Sequence, residues 1–149
     1  MATILCNGVF DLLHPGHQLF LSLAKGLGYR HGFTRYPDHE PCNRNRLIVA
    51  VNSDRSAREL KAAKWGEKYP VMSEVQRMAA TNDYADEIWC FDTEAELHTL
   101  IQASVPCIIV KGPDYIGKRV TGDDIAPVII LDTPETDEVR ELKRKAYML

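Results

Sequence analysis

No run of apolar residues in this sequence approaches the roughly 18 that a membrane-spanning helix requires, so no membrane partner is expected. A basic excess is missing as well. Lysine and arginine number 18 against 21 aspartates and glutamates, for a net charge of -3. That argues against a nucleic-acid partner but leaves room for a basic pocket around a phosphorylated ligand. Cysteine is scarce: Cys6, Cys42, Cys90 and Cys107 form no C-x-x-C pair. Cys90 and Cys107 stand in apolar runs, where a free thiol behaves as a small buried hydrophobe. A reducing, cytoplasmic compartment is therefore expected. The opening MATILCNGVFDLLH lacks a basic stretch and meets Asp11 early, so it does not read as a secretory signal. There is no internal repeat and no linker. Residues 1–149 are expected to form a single domain, a length that buries about two thirds of its unfolded surface without disulfide staples.

What is present alternates between short apolar runs and amphipathic stretches. Strands are expected at Thr3–Val9, Leu47–Val51, Glu87–Phe91, Cys107–Lys111 and Val128–Leu131. Helices are expected at Pro15–Leu27, Glu94–Ala103 and Glu135–Tyr147, with a turn or short helix from Ser53-Asp54 through Lys61. A further helix runs from Ser73 to about Asn82, where Ser73 and Gln76 have capping-box spacing. Unbroken β-branched strands that each precede a helix imply a parallel sheet covered on both faces. The fold class is therefore α/β, a doubly wound, Rossmann-like, five-stranded parallel sheet. Such sheets bind ligands beyond the carboxyl ends of their strands, where strand order reverses. Three polar or glycine-bearing segments fall there: Asn7–His17, Asn52–Lys64 and Lys111–Lys118. One stretch, Tyr29–Asn45, has no periodicity and is rich in arginine, histidine, proline and aromatics. Structureless segments of this length are usually functional or disordered.

The chemistry concentrates in Gly8-Val9-Phe10-Asp11-Leu12-Leu13-His14-Pro15-Gly16-His17, at the turn from the first strand into the first helix. Histidines three residues apart at a helix start face the same side. Pro15 fits a first turn, whose N–H groups lack partners anyway. Gly16 lets a ligand approach the backbone. The helix end supplies N–H groups and partial positive charge suited to phosphate. Imidazoles there can donate to oxygens that gain charge during phosphoryl transfer. Asp11 reads first as a brace for the turn and second as a ligand-facing group. His14 and His17 could instead be two ligands of a metal, but a zinc site needs further ligands. His31, His39 and Cys42 match no zinc spacing, and no metal site is assigned.

The H-x-G-H segment resembles the signature of the cytidylyltransferase-like nucleotidyltransferases. Arg46–Asp54 (RLIVAVNSD), Val110–Tyr115 (VKGPDY) and Glu74–Met78 (EVQRM) resemble one branch of that superfamily, the nucleotidyltransferase domain of bifunctional ADP-heptose synthases. Glycerol-3-phosphate cytidylyltransferase is a cousin. The similarity covers roughly residues 3–28 and 46–131.

The resemblance implies transfer of a nucleoside monophosphate from ATP or CTP to a phosphorylated small molecule, a sugar phosphate above all, with release of pyrophosphate. It implies Mg2+ on the triphosphate and, because such relatives are often dimers, a homodimer. It gives His14, His17 and Lys25 catalytic roles on the phosphates. Gly8, Val9, Phe10, Asp11, Gly16, Arg77, Lys111, Gly112 and Asp114 would border the nucleotide. Two departures stand out. An insertion at about 29–45 carries Arg30, Arg35 and Arg44, which with Asp54 are candidates for holding the acceptor. The serine/threonine-rich phosphate motif of relatives is replaced by Asp132–Glu138, where only Thr136 matches and acids surround it. Two other readings follow: an adenylyltransferase acting on flavin mononucleotide or nicotinamide mononucleotide, with Phe33 and Tyr36 in its acceptor slot, and a catalytically impaired nucleotide-binding module.

Overall fold

The computed structural model describes residues 3–30 and 46–149. Five strands, β1 (Thr3–Gly8), β2 (Arg46–Asn52), β3 (Glu87–Phe91), β4 (Ile108–Lys111) and β5 (Val128–Ile130), form one sheet. Its order is β3-β2-β1-β4-β5 and every pairing is parallel. Alternation along the strands sorts the core into two layers. Ile4, Cys6, Leu47, Val49, Val51, Ile108 and Val110 pack on Phe20, Leu21, Ala24 and Leu27 of helix α1 (Pro15–Arg30). Leu5, Ile48, Ala50 and Ile109 pack on Leu97 and Ile101 of helix α4 (Glu94–Ser104) on the other face. The fold class expected from the unbroken apolar strands is the one observed. Among the described residues no helix is long and apolar enough to cross a membrane.

Side chains set the helix starts. Ser53 caps α2 (Asp54–Trp65), Thr93 caps α4 and Thr136 caps α5 (Asp137–Met148), each accepting from a backbone N–H three residues on. Ser73 and Gln76 form the expected capping box on α3 (Glu74–Thr81). Two boundaries differ from expectation by three residues or more. Helix α2 continues past Lys61, because Ala62, Ala63 and Lys64 favour helix, and it stops at Gly66, whose φ of 87° suits glycine. Helix α1 runs on to Arg30, so the expected insertion at 29–45 begins within it. Residues 31–45, with Arg35, Arg44, His31, Phe33, Tyr36, His39 and Cys42, lie outside the described residues, and so does the side chain of Arg30.

The chain lays down β1, β2 and β3 in one direction, then returns to place β4 on the free side of β1. The order therefore reverses between β1 and β4, and the crevice of such a sheet opens beyond their carboxyl ends. There, Gly8 leads into the H-x-G-H segment and Lys111 into Gly112.

Candidate active site

After Gly8 the chain turns through a short 3-10 segment, Asp11–Leu13, into α1. Phe10, Leu12 and Leu13 have φ of 54°, 67° and 36°. This is the left-handed region, which costs residues other than glycine on the order of 1–3 kcal/mol each. Asp11 holds the turn. It is 3% exposed. Its Oδ2 accepts from the Val71 N–H and the Tyr147 hydroxyl, both at 2.8 Å, and its Oδ1 from the Met72 N–H at 2.9 Å. Asp11 is thus the brace that the sequence suggested first, although its side of the turn also borders the cavity.

His14 and His17 leave this turn on one face of α1. Their rings stack with centroids 3.7 Å apart and planes 17° apart. The backbone N–H of His17 donates to His14 Nδ1 at 3.3 Å. His14 therefore carries its proton on Nε2. That atom is buried and has no hydrogen-bond partner among the described residues, and the same holds for His17 Nδ1. Burial first, then nearby lysines, pushes the His14 pKa down to about 4. Burial and the His14 neighbour push that of His17 down to about 2. Both imidazoles are neutral at physiological pH, so what they offer an anion is N–H donation rather than charge. Gly16 has a reason beyond ligand access: a Cβ there would lie 3.0 Å from His14 Cε1. A side chain at residue 16 would require the His14 ring to give by a few tenths of an ångström.

The histidines open into a cavity of about 380 Å³ at the switch point. Three lysines from three elements line it: Lys61 of α2, Lys111 at the end of β4 and Lys143 of α5. Lys111 is 4% exposed. Its Nζ donates to the Asn7 carbonyl at 3.3 Å and lies 3.9 Å from the Tyr115 ring centroid. Burial pushes its pKa down to about 8. Burial also lowers that of Lys61. Lys143 is held by Glu135 at 2.6 Å. Hydrogen bonding to that ammonium keeps the Glu135 carboxyl below its usual range. Trp65, Tyr69 and Tyr147 close the far wall.

Of the residues expected in a nucleotide site, Gly8, Val9, Phe10, Asp11, His14, Gly16, His17, Lys111, Gly112, Asp114 and Thr136 all line this one cavity. Thr136 sits there as the cap of α5, its hydroxyl accepting from the Val139 N–H at 3.3 Å. The acids around it are partly neutralised by basic residues of α5, Glu135 by Lys143 and Asp137 by Arg140 at 2.8 Å.

Three expected residues stand elsewhere. Lys25 is expected at the phosphates, one helix face on. Helix α1 instead carries it about 12 Å along the axis beyond His17, where it pairs with Asp86 at 3.2 Å, just before β3 begins. Arg77 was read as approaching the triphosphate. It is fully buried and lies outside the cavity lining. Its guanidinium donates to the carbonyls of Val9, Asn52 and Met72 and pairs with Asp54 at 2.8 Å. It ties the ends of β1 and β2 to α3. Asp54, read as an acceptor ligand, is the other half of that tie and also lies outside the lining.

Lys61, Trp65, Tyr69, Glu135, Lys143 and Tyr147 escaped the sequence reading. A signal existed for four of them. Lys61 with Trp65, and Lys143 with Tyr147, have i, i+4 spacing, which puts each pair on one helix face.

The fold and site define an α/β domain with an H-x-G-H turn at the switch point of its sheet. Comparison with known proteins carries this further. The chain is 38% identical over 125 residues to the bifunctional protein HldE of Helicobacter pylori, covering 83% of this chain and 23% of that protein. It is 37% identical over 123 residues to HldE of Campylobacter fetus, covering 81% and 22%. It is 35% identical over 150 residues to HldE of Helicobacter acinonychis, covering 97% and 28%. The chain thus spans about a quarter of the length of these curated relatives, and it is a homologue of one segment of the HldE proteins. Among solved structures, a lipopolysaccharide core biosynthesis protein from Thermoplasma volcanium shares the fold. Its TM-score is 0.62 at 21% identity, with 91% of this chain and 99% of that one covered. No protein-family model matches the chain.

Proposed function

We propose that this chain is a nucleotidyltransferase that moves a nucleoside monophosphate from ATP or CTP to a sugar phosphate and releases pyrophosphate. The observation that carries this reading is the pair of neutral, stacked histidines, each with one buried ring nitrogen that has no partner among the described residues, in a cavity lined by three lysines. The kinship with HldE and the resemblance to ADP-heptose synthases favour a sugar phosphate as acceptor.

A phosphate oxygen of the acceptor attacks the α-phosphorus, the bond to the α–β bridging oxygen breaks, and pyrophosphate leaves. No enzyme-bound covalent intermediate is needed. Positioning and charge stabilisation supply the rate. His14 Nε2–H donates to phosphoryl oxygens as their charge grows, and a preorganised donor in a desolvated site is effective because it needs no reorganisation. His17 stands beside it on the same helix turn. Lys61, Lys111 and Lys143 balance the triphosphate charge.

Magnesium belongs to this reaction as part of the triphosphate. The Asp11 carboxylate is engaged by three donors. Among the described residues, no group of three or more His, Cys, Asp or Glu could hold a metal. No step here runs through a metal held by the chain's own side chains.

A second reading, a nucleotide-binding module without turnover, draws support from Glu135, an acid on the wall of an anion cavity. Pyrophosphate release with magnesium, crossing the nucleoside triphosphates against sugar phosphates, glycerol 3-phosphate and the mononucleotide cofactors, separates the two. Release that requires one triphosphate and one acceptor is expected. Silence, with a triphosphate still raising the melting temperature, would favour the binding module.

A further inference from the structure

We infer that Tyr147 is a positioning residue for the proposed transfer: its hydroxyl, acting through Asp11, holds the left-handed turn that presents His14 and His17. The inference rests on the nucleotidyltransferase reading. Tyr147 lies in the last turn of α5, buried, 136 residues from Asp11 in sequence. Its ring packs on Tyr69 at 5.1 Å and on Trp65 at 5.3 Å between centroids. Its hydroxyl points at the carboxylate of Asp11 at 2.8 Å. Burial and that carboxylate both raise the phenol's pKa, so the hydroxyl remains a donor throughout the working range.

Asp11 sits between two residues in the left-handed region, Phe10 and Leu12. A turn of that kind persists only where its surroundings over-determine it. Here the surroundings are two backbone N–H groups of residues 71–72 on one side and Tyr147 on the other. Three residues past Asp11 the chain reaches His14, whose ring must meet a phosphoryl oxygen at hydrogen-bond distance. Glu135 and the cap Thr136, just before α5, and Val139 in its first turn border the same cavity. Helix α5 therefore touches the substrate cavity at its start and braces the histidine turn at its end. The sequence placed only Thr136 of this helix in the site.

Tyr147→Phe in the full chain removes the hydroxyl and keeps the ring packing. The expected result is a folded protein whose kcat for pyrophosphate release falls about tenfold or more, since misplacing a catalytic group by about 1 Å can cost ~10²-fold. The KM for the triphosphate should stay within about twofold, because the lysines are untouched. The ring 15N signals of His14 and His17 should also move, a readout that needs no turnover. An unchanged kcat in the folded variant would overturn the inference. If the wild-type chain itself releases no pyrophosphate, the nucleotidyltransferase reading fails separately, and the ring signals decide: unmoved signals overturn the brace. Should Tyr147→Phe not fold, Asp11→Asn takes its place, and a kcat equal to wild type would overturn the inference there.

Discussion

The N–H of His17 donates to Nδ1 of His14 across one helical turn, and the two rings stack 3.7 Å apart. Protonating His14 on Nδ1 would break that bond and set a cation against its neighbour in a buried site. Burial above all, with nearby lysines for His14 and the His14 ring for His17, holds both groups well below the ordinary histidine pKa of 6.5. When a group titrates lower in the folded state than in the unfolded state, the unfolded chain takes up protons first as pH falls. Stability is then full above about 6.5 and is lost on acidification, until the folded-state values near 4 and 2 are passed. At pH 5 the loss is on the order of 2 kcal/mol per histidine. Denaturant melts at pH 7.5 and pH 5 should show it, and the double variant His14→Asn, His17→Asn should lack most of that difference. An equal pH difference in the variant would mean that the histidines are not held neutral.

Lys111 gives the activity an alkaline limb. Its ammonium is charged below its pKa of about 8 and loses its charge above it, while triphosphate binding favours the charged form. The kcat/KM for the triphosphate should fall as pH rises through about 8, and a bound triphosphate should move the limb upward in kcat. Lys111→Arg, which stays charged, should remove it. A limb that survives in Lys111→Arg would assign the titration to another group.

Glu135 places a negative charge in the cavity, held against Lys143 at 2.6 Å. Glu135→Gln frees that lysine for a phosphate and removes a repulsion. Triphosphate affinity should rise roughly threefold to tenfold at low ionic strength, with a smaller gain as salt screens the site. Isothermal titration at two salt concentrations checks this. Equal affinities at both would show that the acid does not face the bound phosphates.

Arg77 is a test of architecture. Arg77→Ala leaves Asp54 and three carbonyls without their donor, and breaking a buried pair from one side costs about 3–5 kcal/mol. Thermal denaturation should show a large loss of stability. Lys25→Ala, at a pair whose lysine side chain is 48% exposed, should leave kcat/KM unchanged and stability within about 1 kcal/mol. A marked loss of turnover in the folded Lys25→Ala chain would return that lysine to the site.

The strands were legible because a parallel sheet buried on both faces needs continuous apolar runs, and LIVAV and CIIV are such runs. The histidine turn was legible because glycine, proline and paired histidines at a strand end constrain few other structures. Lys25 and Arg77 were misplaced for a physical reason. A helix packed antiparallel to its strand carries residues away from the carboxyl edge at 1.5 Å each, and whether an arginine faces a ligand or the core depends on carbonyls brought together only by folding. The lysines of α2 and α5 converge from elements 82 positions apart, Lys61 and Lys143, so their i, i+4 pairs with Trp65 and Tyr147 mark two helix faces but not that those faces meet.

The central claim is nucleotidyl transfer at the paired histidines, and pyrophosphate release by the wild-type chain and by His17→Ala, with magnesium, a triphosphate and a sugar phosphate, tests it most directly. Release that depends on both substrates and falls ~10²–10³-fold in a folded His17→Ala variant is expected, as for loss of a transition-state donor. An undiminished rate in the variant, or a wild-type chain that binds the triphosphate and never releases pyrophosphate, would contradict it.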